Sequence, residues 1–140
     1  MAARILWSAL VVLAMTFAQA GALSTDVKGH AVLARLNPVG HSGVSGLTLL
    51  RQPEGGETMI WVGARGLRPG NRYVSLYYDN HACALEPYSA EDVIGGPYRA
   101  NRGGIGLTRG TADDDLDEIN SVSVRQASDF KLLACANIHP

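Results

Sequence analysis

The sequence predicts an all-β domain, an antiparallel sandwich or barrel. Three observations carry the prediction. Beyond residue 20 the chain reads as short runs rich in β-branched, aliphatic and aromatic residues, most of them alternating in character. Glycine and proline separate these runs at short intervals. No segment after residue 20 carries helical periodicity over a useful length.

The first twenty residues stand apart from this pattern. Arg4 gives a positive start, and Ile5–Phe17 is apolar but too short to span a bilayer comfortably. Ala18-Gln19-Ala20 is an A-x-A cleavage pattern. The expectation is an export signal at residues 1–20 and one domain over residues 21–140, secreted or periplasmic. No second long apolar run follows, so no membrane insertion is expected after cleavage.

His30–Leu36 opens the domain, with Val32, Ala34 and Leu36 on one face of a strand. Asn37-Pro38-Val39-Gly40 is turn chemistry, and Gly43–Arg51 is the second strand. A glycine-bearing loop, Gln52–Gly56, leads to Thr58–Arg65, in which Trp61 is read as core. After the turn Gly66–Gly70 comes a fourth strand, Asn71–Tyr78. Ala84–Gly103 reads as a long loop. Gly104–Arg109 is a short strand, Ala112–Glu118 an acidic connection, and Ile119–Arg125 and Lys131–Ile138 are the last two strands.

Charge excludes some functions. Twelve Lys+Arg stand against thirteen Asp+Glu, a net charge of −1. No strong field favours nucleic acid, and none is expected as a partner. The two cysteines, Cys83 and Cys135, read as one disulfide in an exported chain, with a thiolate metal site as the alternative. Asp113, Asp114, Asp115, Asp117 and Glu118 lack the turn glycine and later glutamate of an EF-hand loop, so they read as a solvated acidic loop rather than a calcium site. Ser75 has no G-x-S-x-G elbow around it.

Several of these local patterns fall into one order. AVLARL, then GVSGLTLLRQ, a β-rich strand and G-L-R-P-G, and at the other end INSVSV followed by LLACANI, resemble the copper–zinc superoxide dismutase family. The resemblance covers most of residues 30–138 and implies a Greek-key sandwich or barrel of eight strands or slightly fewer. It also implies a Cys83–Cys135 bridge, since both cysteines occupy the family's disulfide places. In that family a His-x-His pair follows the glycine turn, two rings on one strand face gripping one copper ion. Here the pair falls on Ser75 and Tyr77. Ala84–Gly103 holds no histidine where the family's zinc ligands lie, and Val124 or Arg125 stands where another copper ligand is expected. The substrate-guiding arginine falls on Leu132, beside Lys131.

The histidine count agrees. His30, His41, His81 and His139 are scattered through the chain. Low-ranked metal candidates are His81 with Asp79, for copper or zinc. Otherwise no catalytic residue and no cofactor are expected. The reading is a non-catalytic binding or structural module; the alternatives are a divergent copper-dependent dismutase and a metal-handling or chaperone-related docking domain. A protein partner or a homodimer fits the first reading. The contact surface is expected around Ser75 and Tyr77. The tyrosines between residues 73 and 98 read as ordinary packing of the long loop over the fourth strand, with an aromatic binding patch of Tyr73, Tyr77, Tyr88 and Tyr98 as the alternative.

Overall fold

The computed structural model describes residues 29–140; the expected export signal at residues 1–20 lies outside the described residues. Nine strands follow one another: β1 (Gly29–Pro38), β2 (Ser45–Pro53), β3 (Thr58–Arg65), β4 (Arg72–Val74), β5 (Tyr77–Tyr78), β6 (Tyr98–Arg99), β7 (Gly106–Ala112), β8 (Ser121–Gln126) and β9 (Leu132–Asn137). The only helical element among the described residues is a 3₁₀ turn at Ala90–Asp92. All pairings are antiparallel, in the order β6-β4-β8-β9-β1-β2-β3-β7, with β5 also on β8. The two ends of this order, β6 and β7, are consecutive in the chain and lie side by side. The sheet therefore rolls into a nearly closed barrel, which removes most of its free edge.

Alternation fills the barrel. Leu36, Leu50, Ile60 and Val62 point inward from one half, and Val122, Val124, Ala134 and Ala136 from the other. Val32 and Ala34 pack against this core on the face the sequence assigns them. Trp61 departs from expectation. It lies between the inward Ile60 and Val62, so period two turns it outward, where it is half-buried beside Leu49 and Arg109.

The two halves of the barrel differ on the outside. Among the described residues, no loop covers the outer face of β1-β2-β3-β7. The outer face around β4, β5 and β8 is roofed by loops, and a second apolar cluster of Val74, Leu76, Tyr78 and Cys83 lies under that roof with Phe130 and Leu132 packed against it. Strands covered on both faces lose the apolar–polar alternation. Every residue from Tyr73 to Tyr78 and from Ser121 to Arg125 is accordingly buried.

The roof is tied down by the Cys83–Cys135 disulfide, which joins residues 52 apart in sequence. Both cysteines are consumed by it, so the thiolate-site alternative falls. The segment Ala84–Gly103 is not a simple loop. Its Val93 bridges Leu76, its Ile94 N–H donates to the Ser75 carbonyl at 2.8 Å, and Tyr98–Arg99 pairs with β4. The fourth strand needs a neighbour on each side to satisfy its backbone, and this segment supplies the second one. β4 and β5 share a single register against β8, with Tyr73 opposite Gln126 and Tyr77 opposite Val122. They are one strand with a short interruption, as Asn71–Tyr78 predicts.

Candidate functional site

The fourth strand presents two faces. Tyr73 and Tyr77 belong to the barrel core, while Val74, Leu76 and Tyr78 belong to the cluster under the roof. Ser75 is fully buried, and its hydroxyl hydrogen-bonds the Tyr98 hydroxyl at 2.8 Å. Burial pushes the Tyr98 phenol up to about 12, with the Ser75 hydrogen bond acting the other way. Tyr73 packs against the Tyr98 ring, 6.3 Å between centroids, and its hydroxyl accepts the Arg68 N–H at 2.8 Å. The expected contact surface is therefore corrected. Tyr73, Tyr77 and Tyr98 are buried because the strand is covered on both sides, and of the four tyrosines only Tyr88 is exposed.

Tyr77 reaches the rim of a cleft of about 260 Å³. Asp79, Glu86, Asp92 and Asp114 supply its carboxylates, and Tyr88 one wall. Burial, then the charges of Asp114, Asp92 and Asp113, push the Tyr77 phenol up to about 12. Burial also raises the Asp114 carboxyl above the ordinary range, with Asp79, Glu118, Asp92 and Asp113 adding like charge. The acidic connection is not free in solvent throughout. The Gln52 side-chain amide donates to the Asp115 carboxylate at 2.6 Å and accepts from the Leu116 N–H at 2.9 Å, and the Thr58 hydroxyl donates to the Asp114 carbonyl at 2.8 Å.

The histidines do not converge. His81 is exposed, its Nδ1 3.1 Å from the Asn137 side-chain oxygen. The Nε2 of His139 lies 2.9 Å from the Leu116 carbonyl. His30 and His41 are exposed on β1 and in the turn after it. β1 and β9 do pair, but at Asn37–Cys135 and Pro38–Ala134. Asp79 faces the acidic cleft, whereas His81 does not line it. Among the described residues, no three His, Cys, Asp or Glu side chains are placed to hold one metal ion.

Under the roof stands a residue whose role sequence reasoning missed. Arg125 is buried, and each nitrogen of its guanidinium is engaged. Nε donates to the Tyr78 hydroxyl at 2.9 Å, Nη1 to the Phe130 carbonyl at 2.6 Å and Nη2 to the Cys83 carbonyl at 2.7 Å. The guanidinium carbon sits 5.9 Å from the Tyr78 ring centroid, within cation–π range. Cys83 and Phe130 are also the two non-glycine residues with left-handed backbone among the described residues, at φ 53° and 59°. That conformation is unfavourable for both side chains and persists only where surroundings enforce it. One arginine fork holds both strained carbonyls and so fixes both ends of the roof. The signal in the sequence was the row Ser121, Ser123, Arg125, alternating with Val122 and Val124. Small polar residues and one charge on a strand face mark a covered polar face. Ser123 bonds the Tyr78 hydroxyl at 2.7 Å, and the Ser121 hydroxyl accepts from the Cys83 N–H at 3.1 Å.

No family model matches the chain, and no curated protein matches it.

Proposed function

We propose that this chain is an exported, non-catalytic domain of the superoxide dismutase-like type, acting as a binding or structural module. One observation carries the reading. The two positions that match the family's His-x-His pair are spent on packing: Ser75 is fully buried against Tyr98, and Tyr77 belongs to the barrel core. A hydroxyl and a phenol held protonated by burial are poor copper ligands at neutral pH. The antiparallel barrel, in which the connections β3 to β4 and β7 to β8 cross to non-adjacent strands, and a bridge between the matched cysteines are consistent with the Greek-key resemblance. The place of a further expected ligand is filled by Val124 in the core or by Arg125 in its cage of carbonyls.

A dismutase assay on copper-incubated, dialysed protein tests the reading. The expected result is no rate above the buffer control. A copper-dependent rate that disappears in His81→Ala would overturn it and bring forward the divergent enzyme.

A further inference from the structure

The open face of the barrel has a composition that folding does not require. Its outward rows follow from the pairing register. Leu33, Leu49, Trp61 and Arg109 form one row across β1, β2, β3 and β7, and Arg35, Leu47, Gly63 and Leu107 the next. Leu107 is 72% exposed, Leu33 66% and Leu47 51%. Solvated faces of antiparallel sheets are ordinarily polar, and contiguous exposed apolar residues mark contact sites.

Within the four strands, charge has one sign. Each of the four strands contributes one exposed arginine: Arg35, Arg51, Arg65 and Arg109. None of the four strands contains an aspartate or a glutamate. The arginines stand around the apolar rows, an arrangement of apolar centre and charged rim with the residue types enriched at protein interfaces. Within it lies a hollow of about 610 Å³ between Arg35, Leu47, Arg65 and Ile105, with Gly46 and Gly63 at its lining.

We propose that this face docks a protein partner whose contact surface is acidic around a projecting apolar side chain. The inference rests on the binding-module reading and names its surface. Charge complementarity requires the acidic rim, and the hollow receives the projection. A second copy meeting the same face would set arginines against arginines, which disfavours a symmetric dimer here. A bilayer fits less well, because interfacial binding uses apolar groups that project into the lipid, whereas this face is a sheet with a recess.

The test titrates isotope-labelled protein with a short peptide of glutamates flanking a Leu-Phe centre, followed by backbone amide shifts. Its lysine-for-glutamate counterpart and phosphatidylglycerol vesicles serve as the other arms. The acidic peptide is expected to shift Leu47, Gly63 and Leu107 saturably. Leu47→Glu and the double variant Arg35→Glu/Arg65→Glu are each expected to weaken binding about tenfold or more, with shifts elsewhere unchanged. Absence of saturable shifts at millimolar peptide, or equal binding of the lysine peptide, overturns the proposal. Vesicle binding that Leu47→Glu abolishes, without peptide binding, reassigns the face to membrane. None of these readouts involves copper, so the docking proposal and the non-catalytic reading fail separately.

Discussion

Arg125 makes three hydrogen bonds and a cation–π contact under the roof. Its removal strands the carbonyls of Cys83 and Phe130 beneath the roof and leaves the Tyr78 hydroxyl to Ser123 alone. A buried polar group left without a partner costs about 1–3 kcal/mol, so Arg125→Met, which orphans two carbonyls, is expected to lose at least about 2 kcal/mol in urea unfolding. Arg125→Lys keeps the charge but not the fork, and should recover only part of that loss. Asp114 predicts the opposite sign. Burial and four neighbouring carboxylates raise its folded pKa, so its ionised form weakens the fold. For a carboxyl with a raised folded pKa, the folded state binds the proton more tightly, and stability falls as pH rises through the unfolded and then the folded value. Asp114→Asn should therefore unfold at higher urea than the parent at pH 7, and the difference should shrink in acid as the parent carboxyl protonates. A stability gain independent of pH would show that the neighbouring charges are not its cause.

Among the elements, the seam between β6 and β7 closes the barrel, and it closes on small residues. A Cβ on Gly106 would meet the Tyr98 ring at 2.7 Å, and one on Gly110 the Gly95 nitrogen at 2.5 Å. Gly106→Val is therefore expected to open the seam, seen as loss of amide protection in β6 and β7 before the other strands. Most of the strands were legible in the sequence, because alternation and glycine turns are local signals. β6 was not. Tyr98–Arg99 is too short to show a period, and it exists only because β4 needs a second neighbour. The same limit hid the site. Ser75 and Tyr77 share a face in the sequence, but that this face turns into the core depends on the barrel closing through strands distant in the chain. Cys83–Cys135 was predictable as a pair, while the Arg125 fork, which joins residues 42 and 5 apart, was not.

For the whole molecule, stability rests on the barrel core and on a roof cross-linked through 52 residues. The chain-entropy estimate for a loop of that length is about 4 kcal/mol, so reduction or Cys135→Ser should sharply lower the melting temperature. Two buried phenols add an alkaline limit. Burial pushes the Tyr77 and Tyr98 phenols up to about 12 in the fold, from the ordinary value of 10.0. Between those values the unfolded chain has released protons that the folded chain retains, so stability falls as pH rises through that window. Tyr98→Phe should flatten the fall in a series of urea midpoints. The proposed non-catalytic reading rests on Ser75 and Tyr77 being given over to packing. Copper and zinc content of the oxidised protein, after incubation with both ions and exhaustive dialysis, reads this most directly. Negligible metal in a folded, disulfide-bonded chain is the expected result. Near-stoichiometric copper would contradict the non-catalytic reading and place a ligand set where the packing of Ser75 and Tyr77 leaves none.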